Sequence, residues 1–119
     1  MRYVDGFVLP VPEEHLKLYR RIAQKAGKIW REYGALQYVE AVGDDLDPSF
    51  GVSFGKMIKL KPGEAALFSF IVFKSRADRD RVNKKVMNDP RMNKIMGGAP
   101  MPFEMKRMVY GGFKTIVDM

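Results

Sequence analysis

The sequence predicts one α+β domain of the ferredoxin-like kind: a four-stranded antiparallel sheet with two helices on one of its faces. A chain of 119 residues is of single-domain size. One long segment carries apolar residues at helical spacing, and shorter apolar segments separated by turn residues surround it. The resulting order is strand, helix, strand, strand, helix, strand, which is the split βαβ pattern of ferredoxin-like folds. We therefore expect residues 1–119 to form a single domain.

The composition excludes several classes of protein. Apolar residues make up 46% and charged residues 29% of the chain, which is typical of a globular protein. There is no cysteine, and His15 is the only histidine. Disulfides, thiol catalysis and cysteine-bound metals are therefore excluded, and a zinc site or a Ser-His-Asp triad is disfavoured. We predict no metal and no cofactor.

The charge and hydropathy patterns bear on partners and location. A balance of 21 basic to 14 acidic residues gives a net charge of +7, which raises the question of nucleic-acid binding. The basic residues are spread over the predicted helices and turns without a dense run, so a solvated helix surface is favoured. No apolar run reaches the roughly 20 residues of a membrane span, and no signal-peptide pattern follows Met1. We expect a cytoplasmic protein that binds neither nucleic acid nor membrane.

The first half of the chain begins with a strand, Tyr3–Val11, which prolines end. A helix then runs from Pro12 to Tyr33, and Gly34 provides its stop. Its apolar residues recur at spacings of three and four and form one continuous stripe: Leu16, Tyr19, Ile22, Ala23, Ala26, Ile29, Trp30 and Tyr33. Ala35–Val42 is the second strand.

A long connection, Leu46–Gly63, leads to the next strand and shows some β character around Val52–Phe54 and Met57–Leu60. A connection of this length is often a functional lid or a partner-binding arm. The segment Ala65–Lys74 is almost continuously apolar, which indicates a central strand buried on both faces.

The second predicted helix begins at the capping box Ser75–Asp78 and runs to about Asn88. Its inner stripe is expected to contain Ala77, Val82 and Val86. Asp89 and Pro90 then begin a short helix, which extends from Arg91 to Met96 and ends at Gly97–Gly98.

Lys106–Val117 is expected to form the last strand. Gly111 and Gly112 within it mark either a bulge or a close backbone approach. With both helices on one face, the other face of the sheet would expose Phe, Val, Leu and Met side chains, which soluble monomers avoid. Pairing of two sheets would cover these side chains, so we expect a homodimer.

Four blocks of the sequence carry a resemblance to a known family: Tyr3–Pro12, Gly34–Glu40 with Gly43–Asp45, Lys84–Met92 and Met101–Phe113. Through them the chain resembles, almost end to end, the YbaA-like family of uncharacterised bacterial proteins. The resemblance implies the dimeric α/β-barrel form of the ferredoxin-like fold. It implies no activity, since this is a family of unknown function and its wider superfamily includes monooxygenases, isomerases, haem enzymes and ligand-sensing domains.

Three residues are candidates for catalysis. Glu40 alternates with Tyr38 on the second strand, and if that face is inward, burial would raise its pKa into the range of a general acid or base. The alternative is an edge-strand glutamate paired with a basic residue. Tyr110 could donate a hydrogen bond to a developing oxyanion, or be a core residue with a satisfied hydroxyl. Arg107 could act similarly, although alternation places Arg107 and Tyr110 on opposite faces.

The candidate ligand-binding residues are Tyr38, Trp30 and Ser69, of which Trp30 is more often a core residue than a ligand platform. His15 is interpreted as a surface residue. The cluster Asp44, Asp45 and Asp47 lacks EF-hand spacing and indicates a solvated turn rather than a cation site.

The sequence leaves three functions open. The first is a dimer that binds a small apolar or aromatic metabolite in a barrel pocket. The alternative is a cofactor-independent enzyme of the monooxygenase or isomerase type with Glu40 as proton shuttle. The third is a protein-partner role of the basic helix faces.

Overall fold

The structure, a computed structural model, describes residues 1–97 and 100–119. The predicted helix end at Gly97–Gly98 therefore lies partly outside the described residues. The strands are β1 (Tyr3–Pro12), β2 (Gln37–Val42), β3 (Glu64–Phe73) and β4 (Val109–Lys114). The helices are α1 (Leu16–Tyr33), α2 (Phe54–Met57), α3 (Arg76–Met87) and α4 (Pro90–Gly97).

The four strands form one antiparallel sheet in the order β2-β3-β1-β4. This confirms the ferredoxin-like βαββαβ fold. α1, α3 and α4 pack on one face, and a core of buried side chains lies between them and the two central strands. Phe73, Val82 and Val86 are completely buried at the centre of this core. None of the helices in the described part of the chain is long and apolar enough to cross a bilayer.

α1 follows the predicted apolar stripe. Tyr19, Ala23, Ala26 and Ile29 are buried against the sheet, because residues three and four apart share one side of a helix. The helix ends where Gly34 adopts φ 121°, a conformation that a side chain would strain.

The connection between β2 and β3 differs from the prediction. Instead of β structure it contains α2, whose first turn is capped by Ser53 Oγ accepting from the Lys56 amide at 3.1 Å. Ile58, only 4% exposed, packs with Val8 and Ala66 on the sheet face that the helices leave free. That face is therefore partly covered by the protein's own chain, because this segment has apolar side chains of its own to bury.

The last strand is shorter than predicted. Residues before Val109 form a 3₁₀ turn, Met105–Arg107, and not a strand. The bulge alternative at Gly111 and Gly112 is wrong, since both residues pair in unbroken register with β1. The close-approach alternative holds: a Cβ on Gly112 would lie 2.5 Å from the Tyr3 hydroxyl oxygen.

The inner face of α3 also differs in part from the prediction. Val82 and Val86 are buried as expected, but Ala77 is exposed. The N-cap half of the capping box is confirmed, because Ser75 Oγ accepts from the Asp78 amide at 3.1 Å. The Asp78 carboxylate accepts from Arg81 and not from the Ser75 amide. β3 is central as predicted, although Phe68 on its free face remains 45% exposed.

Candidate functional site

A cavity of about 320 Å³ lies between the sheet and the helices. Its walls come from the helix-facing side of all four strands, from α1, α3 and α4, and from the segment 101–108. Most of its lining is aliphatic or aromatic. Six methionines contribute to it: Met87, Met92, Met96, Met101, Met105 and Met108. Flexible thioether side chains can adapt to ligands of different shape.

The sheet register brings several candidate residues into one row. Glu40 pairs with Ser69, Ser69 with Phe7, and Phe7 with Tyr110. Because residues directly opposite one another in a sheet point to the same face, all four side chains face the helices. The structure thus brings Glu40, Ser69 and Tyr110 to the same cavity, together with Tyr38 and Trp30.

Glu40 lies between two tyrosines at the wall of the cavity. Tyr19 donates to Oε1 and Tyr38 to Oε2, each over 2.7 Å. Desolvation raises the pKa of Glu40 and outweighs the two hydrogen bonds, which act in the opposite direction. Burial, with the charge and hydrogen bonds of Glu40, also raises the pKa of both tyrosines, so they stay protonated donors. Glu40 can therefore exchange a proton closer to neutral pH than an ordinary carboxyl group.

Tyr38 reaches this position because α1 carries Gly27 opposite it. A Cβ on Gly27 would lie 2.5 Å from the Tyr38 ring, so only glycine allows so close a contact between helix and strand. The Tyr38 ring also stacks on Trp30, with 5.8 Å between ring centroids. Trp30 is held in turn by the hydrogen bond from its indole Nε1 to Asn83 Oδ1, at 2.9 Å.

A buried polar network that the sequence did not reveal lies next to this aromatic pair. Asp5 is 4% exposed and accepts from Arg79 Nη1 at 3.1 Å and from Asn83 Nδ2 at 3.2 Å. The Arg79 guanidinium also lies over the Tyr3 ring, 4.8 Å from its centroid. One signal was available: Asp5 is a charged residue on the side of β1 that otherwise carries Tyr3 and Phe7.

A second concavity, a groove of about 480 Å³, lies on the far side of Glu40. It runs between α1 and β2, and Arg20, Gln24 and Arg31 contribute to its rim. Tyr19, Ala23, Tyr38 and Glu40 line both spaces. The inner cavity and the outer groove therefore adjoin at these side chains.

The structure places Arg107 outside the cavity. Its guanidinium donates to both carboxylate oxygens of Glu64, at 2.6 and 2.9 Å, and to the carbonyl oxygen of Lys59 at 3.0 Å. The Arg107 hydrogen bonds lower the pKa of Glu64 to about 2. Arg107 therefore fastens the turn before β4 to the start of β3.

Tyr110 lies at the mouth of the cavity. It is 70% exposed and stacks on Phe7, with 6.0 Å between ring centroids. His15 is exposed at the turn before α1, and Asp44, Asp45 and Asp47 are exposed after β2.

Solved structures resemble this fold at low sequence identity. A Nipsnap family protein with unknown function from Agrobacterium tumefaciens aligns over 96% of this chain and 87% of its own, with a TM-score of 0.61 and 13% identity. A dimeric ferredoxin-like protein from an uncultured marine organism aligns over 100% of both chains, with a TM-score of 0.57 and 8% identity. At these identities the likeness shows the fold alone.

Sequence relatives are much closer. The uncharacterized protein YbaA of Escherichia coli K12 is 42% identical over 118 residues, which cover 99% of each chain, and YbaA of Shigella flexneri matches equally. This confirms the resemblance found in the sequence. The family model described as "Protein of unknown function (DUF1428)" matches residues 2–105. The chain belongs to this DUF1428 family.

Proposed function

We propose that the protein binds a small apolar or aromatic molecule in the cavity between sheet and helices, and that it does so as a homodimer. One observation carries the binding proposal: the cavity has a volume typical of small-molecule sites and a largely apolar lining with few polar groups. A cytoplasmic location is part of the proposal, since a chain without cysteine suits a reducing compartment.

We expect native mass spectrometry of the gently purified protein to show a reproducible small adduct on each chain. Ala26→Phe, which projects a ring from α1 into the cavity, should abolish the adduct by filling its space. Ala77→Phe, on the exposed side of α3, is the matched control and should keep it. An adduct that survives Ala26→Phe, or a wild-type chain that neither carries an adduct nor is stabilised by any member of a metabolite panel, would contradict cavity binding.

The dimer proposal is supported by the sheet face opposite the helices. Phe68 and Phe113 project from it with 45% and 61% of their surfaces exposed, and Val109 is exposed beside them. The connection covers only one end of this face. A second copy would bury the remaining apolar surface, and a neighbour with the same fold is described as dimeric.

A cofactor-independent enzyme is the second candidate, and the raised pKa of Glu40 favours it. Glu40 would move a proton on a ligand in the cavity, with Tyr110 as the hydrogen-bond donor. Tyr110 lies three strands away from Glu40, on the order of 14 Å, so one small ligand would have to span that distance. This separation supports binding as the first choice.

An oxygen-uptake and isomerisation screen with the compounds that bind tests the enzyme. Turnover should be lost in Glu40→Gln while the melting temperature and ligand binding remain measurable. If Glu40→Gln turns over the same compound at the wild-type rate, this result would contradict a proton-transfer role for Glu40.

A further inference from the structure

We propose that the ligand of the inner cavity is an organic amine, an apolar or aromatic body carrying one ammonium group that pairs with Glu40. This inference rests on the proposed binding function and names the chemical class that the cavity selects.

The charges that line the cavity are unbalanced. Asp5, Arg79 and Glu40 are its three charged lining residues in the described part of the chain. Asp5 pairs with Arg79 at 3.1 Å, and Arg79 also pairs at 2.9 Å with the exposed Asp80, which lies outside the lining. Glu40 receives only neutral phenol donors, from Tyr19 and Tyr38. Glu40 is therefore the charged lining residue without a charged partner, and a cation complements its ionised form.

Glu40 retains room for a further donor. A carboxylate offers about four acceptor positions on its two oxygens. The two tyrosine hydroxyls occupy one position on each oxygen. About two positions remain, and Glu40 borders both the cavity and the outer groove. An ammonium group carries three donors and can use these positions.

The walls beside Glu40 also favour a cation. Tyr38, which donates to Glu40, stacks on Trp30. Tyr19, the other donor, meets Phe103 edge to face with 5.7 Å between ring centroids. All four rings line the cavity. Aromatic faces attract ammonium groups within about 6 Å. A carboxylate ligand meets the opposite situation, because Arg79 is engaged by Asp5 and Glu40 repels an anion.

The titration behaviour of Glu40 agrees with this geometry. Burial raises its pKa because no cation compensates the lost hydration, and an arriving ammonium group would supply that compensation. The groups around Glu40 are Tyr19 from α1, Tyr38 on its own strand and Ser69 from β3. Arg20 and Arg31 of α1 line the groove on which Glu40 also borders. The raised pKa of both tyrosines and the constant charge of arginine leave Glu40 as the group that titrates here in acid.

The test uses two matched sets of probes that differ only in the polar end. Tryptamine, tryptophol and indole-3-acetate share an indole, and 2-phenylethylamine, 2-phenylethanol and phenylacetate share a phenyl ring. Isothermal titration calorimetry with the full chain at pH 7.5 should show each amine binding about 10- to 100-fold more tightly than its alcohol. The carboxylates should bind more weakly than the alcohols.

Glu40→Gln should lower the affinity of the amine to about that of the alcohol and so remove the preference. Glu14→Gln, an exposed position before α1, is the matched control and should preserve the preference. Should Glu40→Gln fail to fold, wild-type protein supplies the same information. Amine affinity should fall with decreasing pH through the raised pKa of Glu40, because protonation removes the pairing charge, while alcohol affinity stays constant.

The outcomes separate this inference from the cavity function. Alcohols or carboxylates that bind as tightly as the amines, or an amine preference that persists in Glu40→Gln, would overturn the amine assignment. The cavity function survives that result if Ala26→Phe still abolishes the binding. If none of the six probes binds the wild-type protein, the amine assignment fails, while the cavity function is decided separately by the adduct and the metabolite panel.

Discussion

Replacing Arg79 by methionine is expected to lower the free energy of unfolding by about 3–5 kcal/mol. Arg79 is the cation that compensates Asp5, and the Asp5 carboxylate is almost completely shielded from water. Methionine keeps much of the packing against Tyr3 but leaves a buried negative charge with only Asn83 as a partner. Urea unfolding followed by circular dichroism measures the loss.

Arg81→Met is the matched control on the same helix. Arg81 pairs with Asp78 at 2.7 Å, but its side chain is about half exposed, so the loss should be at most about 1 kcal/mol. Adding Asp5→Asn to Arg79→Met should recover part of the stability, because the uncompensated charge is then gone. Equal losses in Arg79→Met and Arg81→Met would show that the Asp5 pair is not a buried ion pair in energetic terms.

Phe68→Lys is expected to convert the proposed dimer into a monomer. Phe68 projects from the central strand β3 on the face opposite the helices, so a second copy would bury it near the middle of the interface. An unpaired ammonium group there should weaken dimerisation by about 100-fold or more. Light scattering coupled to size-exclusion chromatography should find two chains for the wild type and one for the variant.

The control for this experiment is Leu18→Lys. Leu18 is 41% exposed, similar to Phe68, but lies on α1, on the other side of the molecule, and its replacement should leave the dimer intact. A wild-type protein that elutes as one chain at every concentration would contradict the dimer. If Phe68→Lys dimerises as strongly as the wild type, the dimer interface must lie on another surface.

The fold followed from local patterns, which is why so much of it was predictable. The stripe of α1 and the apolar run of β3 are each contained within one segment, and Ser75 and Asp89 mark helix starts by their own hydrogen bonds to nearby amides. The connection was harder to predict, because α2 depends on the single cap Ser53 and its position depends on burying Ile58 against distant strands.

The site was predictable only as far as strand alternation holds. Glu40, Tyr38 and Ser69 lie on regular strands, so their shared face followed once the inward side was known. Alternation does not apply to Arg107, because a 3₁₀ turn replaces the expected strand there. Asp5 and Arg79 are 74 residues apart in the sequence. No local sequence pattern predicts an ion pair between residues so far apart.

The central place of β1 has a consequence for how the chain folds during synthesis. Among the described residues, β1 pairs with β3 and β4 alone: Pro12 with Glu64, and Tyr3 with Lys114. At about 5–20 residues per second, several seconds pass between the emergence of β1 and that of its first partner. During this time the apolar stripe of α1 has no sheet to pack against. Folding therefore proceeds late and through non-local contacts, and a nascent chain that stops before Val109 leaves one edge of β1 open for pairing with other chains.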